Sequence, residues 1–143
     1  MPDVPVYYEL SLISELANLG VTGFVTIKAD STNTYNSIVD YHNKKLPNFT
    51  LFNQRTYGNG IIIYRKDVSV YQAFDITCSY RGLEDHCSLN LKAGDLIATC
   101  LCCKSEFLLS ADGYPTTKST ATRPLWMYNC TIMGNGLQLV VFK

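Results

Sequence analysis

Asn59-Gly60-Ile61-Ile62-Ile63-Tyr64-Arg65 and, after four intervening residues, Val70-Tyr71-Gln72-Ala73-Phe74-Asp75 are the stretches that decide the fold. Asn-Gly is a turn dipeptide, and the run after it is short, apolar and rich in β-branched and aromatic side chains. The second run follows at hairpin spacing. Together they predict two paired antiparallel strands.

The same signals continue outward in both directions. Val6 to Ile13 alternates imperfectly and predicts a first strand, and Ser14 to Gly20 predicts one helical turn between an N-cap and a glycine stop. Val21 to Lys28 predicts a strand. Ala29 to Asn59 is polar and contains Pro47; so long a connection without structure is improbable, and a short strand is expected at Phe49-Thr50-Leu51-Phe52. Downstream, Ser88 to Lys92 alternates with period two, Leu96 to Thr99 is apolar, and Phe107-Leu108-Leu109 precedes the turn Ala111-Asp112-Gly113-Tyr114-Pro115. Trp126 to Met133 and Leu137 to Phe142 predict a last hairpin closed by Gly134-Asn135-Gly136. Short strands between closely spaced turn signals predict an all-β antiparallel sandwich or barrel.

Composition agrees. The 143 residues suit a single domain spanning 1–143, and 12% are aromatic, ten of them Tyr, which favours strands. Charged residues make up 17%, against the roughly 25% usual for soluble domains. Twelve Lys and Arg balance twelve Asp and Glu, so no basic field exists to hold nucleic acid or an anionic membrane. No apolar run approaches the roughly 18 residues of a membrane span, and the first residues carry no signal-peptide pattern. The expectation is a soluble chain, or the mature part of an exported one.

Six cysteines carry the chemistry. Cys78, Cys87, Cys100, Cys102 and Cys103 fall within 26 positions, each at a predicted strand end or loop, while Cys130 stands apart in a strand as a small hydrophobe. Cys100-Leu101-Cys102-Cys103 contains a C-x2-C, whose spacing lets two thiolates of a tight turn face one metal. Cys78 and Cys87 offer a second pair. Thiolates suit zinc or iron–sulfur clusters because sulfur is soft. A metal site, disulfides and free buried thiols all remain open on spacing alone. No Walker, G-x-G-x-x-G, G-x-S-x-G or H-E-x-x-H motif occurs, and with only two histidines there is no reason to expect an enzyme.

Cys100-Leu101-Cys102-Cys103-Lys104-Ser105-Glu106-Phe107 resembles the second cluster-binding loop of Rieske domains, C-P-C-H-G-S-x-F/Y. Ser119 to Tyr128 resembles the proline loop that follows it, and Ala73 to Tyr80 occupies the place of the first loop, C-x-H. The resemblance covers residues 60–143 and implies a Rieske-like small antiparallel β-sandwich or barrel with a metal-binding loop subdomain. A Rieske centre binds its [2Fe–2S] cluster with two cysteines and two histidines. Cys78 and Cys100 match the cysteines, but Tyr80 and Cys103 stand where the histidines belong, and Lys104 replaces a glycine. His42 and His86 fit neither position.

Two arrangements repair this set. In the preferred one Cys78, Cys87, Cys100 and Cys103 form an all-thiolate tetrad for zinc or a [2Fe–2S] cluster, whose potential would fall towards about −400 mV. In the other, Cys87 pairs with Cys102 as a disulfide across the two loops, as the resemblance to respiratory-chain Rieske proteins implies, and the site holds zinc or no metal. Around the ligands, the resemblance gives Ser105 a hydrogen bond to a cluster sulfur, or else one to its own backbone. It makes Tyr80 a phenol near the metal or else a loop aromatic over the site, Phe107 a packing residue, and Pro124 and Leu125 a shield from water. Thiolates in place of histidines resemble small Rieske-like proteins of the bacterial cell envelope, often lipoproteins. That implies an envelope or periplasmic location, with cytoplasmic as the alternative, a lipid anchor lost with a leader, and an unidentified redox or envelope protein as partner.

Overall fold

The computed structural model describes residues 7–12, 16, 19–29, 37–41, 44–50, 60–80, 87–91 and 96–143. Twelve strands follow in chain order: β1 (Tyr7–Ser11), β2 (Phe24–Ala29), β3 (Ser37–Tyr41), β4 (Lys44–Thr50), β5 (Ile61–Asp67), β6 (Val70–Asp75), β7 (Leu89–Leu91), β8 (Ile97–Cys100), β9 (Glu106–Leu108), β10 (Tyr114–Pro115), β11 (Met127–Met133) and β12 (Gln138–Phe142). Among the described residues the only helical piece is a 3-10 turn at Leu109–Ala111. An eight-stranded sheet runs β1-β12-β11-β6-β5-β2-β3-β4, and a four-stranded sheet runs β10-β9-β8-β7. Every ladder is antiparallel. The expected class, an all-β antiparallel fold with a small loop-bearing sheet, is the one observed.

The unbroken run at Ile61 is explained by burial on both faces. Ile61 and Ile63 of β5 join Val25, Ile27, Ala73, Tyr128, Leu139 and Val141 in one core cluster. Ile62 and Tyr64 alternate to the other face and join Phe24, Phe74, Leu89, Ala98 and Phe107. The first cluster draws on both halves of the eight-stranded sheet, so that sheet curls around it. The second lies between the large sheet and the small one. A side-chain period of two thus gives β2, β5 and β6 a separate core on each side.

Turns are set by local chemistry. Arg65 donates from Nη1 to the Leu19 carbonyl at 2.6 Å and from Nη2 to the Val68 carbonyl at 2.8 Å, tying the β5–β6 turn to the segment before β2. Gly134, Asn135 and Gly136 all have positive φ (65°, 60° and 82°), which explains those residues at the β11–β12 turn. Of the helical turn expected over 14–20, the described residues Leu16 and Leu19 are buried and joined by a hydrogen bond from the Leu19 N–H to the Leu16 carbonyl at 3.1 Å. Gly20, the expected stop, is exposed and its carbonyl accepts the Gly23 N–H at 3.0 Å, while residues 14, 15, 17 and 18, like His42 and His86, lie outside the described residues. Of the strand expected at 49–52, Phe49 and Thr50 end a longer one, β4, which β3 precedes, while residues 51 and 52 lie outside the described residues.

Candidate metal centre

Two connections, from β6 to β7 and from β8 to β9, bring cysteines together at the small sheet. The first spans Cys78 to Cys87 and is closed at its base by the Cys78 N–H to the Cys87 carbonyl (3.0 Å) and the Leu89 N–H to the Ile76 carbonyl (2.8 Å). The second, Cys100 to Ser105, is a tight turn: the Cys100 N–H bonds to the Ser105 carbonyl and the Lys104 N–H to the Cys100 carbonyl, each at 2.9 Å. Lys104 takes a left-handed φ of 62° to close it. A non-glycine residue there costs about 1–2 kcal/mol, which is why a glycine suits this position.

The proline loop, 116–126, is stitched to both. Ser79 Oγ donates to the Arg123 carbonyl at 2.9 Å, and the Ala121 N–H donates to Ser105 Oγ at 3.0 Å. Ser119 Oγ accepts the Glu106 N–H at 2.8 Å and donates to the Glu106 carbonyl at 3.1 Å. Below them, buried Asp75 accepts hydrogen bonds from the Thr77 N–H at 2.7 Å and from the Tyr128 hydroxyl, anchoring the start of the first loop to β11. Nothing in the sequence marks Ser79 or Ser119 as site supports, since one hydroxyl on a loop carries no signal of its partner, and Asp75, which as a loop carboxylate is expected to be solvated, is instead buried and bonded.

Five sulfurs gather where the loops meet. Those of Cys78, Cys100 and Cys103 lie within 4.8 Å of one another, with Cys78 Sγ 3.7 Å from Cys103 Sγ. Cys78 and Cys100 are buried, while Cys103 is half-buried. Cys87, placed in the ligand tetrad by the sequence reading, is bonded to Cys102 in a disulfide. Its sulfur is therefore not available as a thiolate in this structure, and the set standing ready is the other three. The disulfide pairing is the arrangement that the resemblance offered as the alternative. With a sequence separation of 15, such a clamp contributes about 3 kcal/mol by restricting the unfolded chain. A cleft of about 280 Å³ opens over the cluster, walled by the five loop cysteines, Tyr80 and Thr120.

The surroundings favour a charged sulfur at Cys103. Burial pushes its thiol up, but the Ser105 hydroxyl, the Ser105 backbone N–H and the Cys100 and Cys78 thiols together hold it below the usual thiol range. Cys103 Sγ lies 3.1 Å from Ser105 Oγ, which is fully buried. Tyr80 is 49% exposed at the mouth of the cleft. Phe107 is fully buried in the core beneath the second loop, where it packs. Pro124 is half-buried and is not among the residues lining the cleft; Leu125 beside it is buried in the core. Cys130 sits on β11, packed against the other core cluster.

Fold and site together define an all-β antiparallel domain whose small sheet presents a disulfide-clamped cluster of thiols. No family model matches the chain. No curated protein matches it either. Among solved structures, one from Mycobacterium tuberculosis, provisionally described as the small subunit of an NADH-dependent nitrite reductase, is similar at 12% identity and a TM-score of 0.43, covering 99% of this chain and 97% of that one.

Proposed function

We propose that this is a Rieske-like β domain whose Cys78, Cys100 and Cys103 bind a metal ion through three thiolates. The observation that carries this is the convergence of three sulfurs from two loops within 4.8 Å at the floor of a cleft. The donor set fits zinc. With Zn–S near 2.3 Å, tetrahedral geometry sets neighbouring sulfurs about 3.8 Å apart, and Cys78 and Cys103 are 3.7 Å apart. The fourth position would face the cleft beside Tyr80. A [2Fe–2S] cluster needs four protein ligands, so electron transfer requires one more donor than the disulfide-closed site supplies. A thiolate-bound ion would supply Lewis acidity or simply bind the loops together, while hydrogen bonds with Ser105 lower the Cys103 thiol below its ordinary range. We assign the chain no catalytic step. The Cys87–Cys102 bond supports an oxidising compartment, such as the bacterial envelope, and a protein partner there. Among the described residues no helix is long and apolar enough to cross a membrane.

A second reading is favoured by the same disulfide: a structural or interaction module in which the covalent clamp, not an ion, holds the loops. Elemental analysis and visible absorption of the purified protein separate the two. Colourless protein holding about one equivalent of zinc, with the metal lost in Cys100→Ser, is the expected result. Absence of metal even after incubation with excess zinc would leave the module reading in its place.

A further inference from the structure

We infer that the Cys87–Cys102 disulfide gates the metal site, so that its reduction delivers Cys87 to the cluster as a fourth thiolate. The inference rests on the three-thiolate reading above and adds a control to it. Its basis is the sharing of Cys100 between two sulfur groups: it lies within 4.8 Å of Cys78 and Cys103 on one side and of Cys87 and Cys102 on the other. The disulfide therefore adjoins the proposed ligands.

The two sulfurs of the bond are unequal. Cys87 is buried at 6% exposure, whereas Cys102 is exposed at the tip of the second loop. An incoming thiolate reaches Cys102 first. In that exchange the external sulfur bonds to Cys102, the bond to Cys87 breaks, and Cys87 leaves as a thiolate inside the site. A second external thiol then attacks its own kind in the mixed disulfide and frees Cys102. The net change is two small-molecule thiols oxidised to their disulfide and one protein disulfide reduced. Cys87 stays in place afterwards because its backbone is held independently: its carbonyl accepts the Cys78 N–H, and Ser88 bridges Thr77. The Cys87 sulfur already lies within 4.8 Å of that of the shared Cys100. The closed state thus offers three thiolates with an open position, and the reduced state offers four, the set that suits a closed zinc site or a [2Fe–2S] cluster.

Titration with Co2+, whose thiolate charge-transfer bands count sulfur ligands, tests this on the full chain without any reductant present. Cys102→Ser and Cys87→Ser both remove the clamp, but only the first leaves Cys87 free. Cys102→Ser is expected to bind Co2+ roughly 100-fold more tightly than the wild type, one ligand's part of a four-thiolate site. Its charge-transfer intensity should also rise by about one third, as four sulfurs replace three. Cys87→Ser should show neither change. Equal behaviour of the two variants, or a Cys102→Ser spectrum identical to that of the wild type, would overturn the gate. Binding by Cys102→Ser alone would retain recruitment and discard the three-thiolate reading, and no binding by any form would discard both.

Discussion

Cys130 on the large sheet and Cys103 on the small one are both partly buried thiols, and their surroundings pull them in opposite directions. Cys130 packs against aliphatic side chains, and burial pushes its thiol up to about 12. Cys103 loses some solvent too, but two donors from Ser105 and two neighbouring thiols more than offset that loss. Burial by itself therefore does not decide what a cysteine is for. Hydrogen-bond donors aimed at the sulfur do. One face of the central strands looks onto a core without them, and the other carries a cage that supplies them.

The most forceful way to break this contrast is to damage each face separately. Ile63→Ala and Ile62→Ala remove equally buried side chains from adjacent positions of β5, one in each cluster. Each should cost about 2–5 kcal/mol in chemical denaturation. Only Ile62→Ala should also speed alkylation of the loop thiols under native conditions, because it opens the floor beneath them. Equal acceleration in both variants would show that the two clusters are not independent.

Ser105→Ala sharpens the comparison at the site itself. It leaves the Ala121 N–H without its partner, at about 1–3 kcal/mol, and strips the hydroxyl from Cys103. A lowered thiol pKa in the folded state makes the native protein bind fewer protons than the unfolded chain. The resulting stabilisation is present above the unfolded thiol value and lost as pH falls through the folded one. In the variant the pH midpoint for Cys103 alkylation should move up and that pH-dependent stabilisation should shrink, with Cys130 unreactive throughout. An unmoved midpoint would remove Ser105 from the account.

The smallest effect concerns backbone. Lys104→Gly relieves a left-handed residue and should raise stability by about 1 kcal/mol, with the thermal midpoint as the readout. A loss of stability would mean that the lysine side chain makes a contribution of its own.

How far the sequence foretold this structure differs between the same two regions. β5, β6, β11 and β12 were legible because their apolar runs and turn residues are local properties. β10 was not: Tyr114–Pro115 is a strand only because Leu108 and Phe107 lie opposite. β3 escaped notice inside a polar segment for the same reason, since its pairing with β2 defines it. At the site, the gathering of cysteines was readable from spacing, but which of them would bond to each other was not. That choice depends on two loops meeting in space, and no local pattern distinguishes a ligand from a disulfide partner nine residues past Cys78.

The register that sets Tyr7 opposite Phe142 and Ser11 opposite Gln138 has a consequence for folding. β1 can pair only once β12 is in place, so this edge of the large sheet is a long-range closure in folding. The small sheet pairs strands that are near in sequence, β7 to β10, and among the described residues shares no ladder with β1 or β12. The ladders around the sulfurs therefore do not wait on that closure, and opening of the β1 edge would leave the thiol cluster in place.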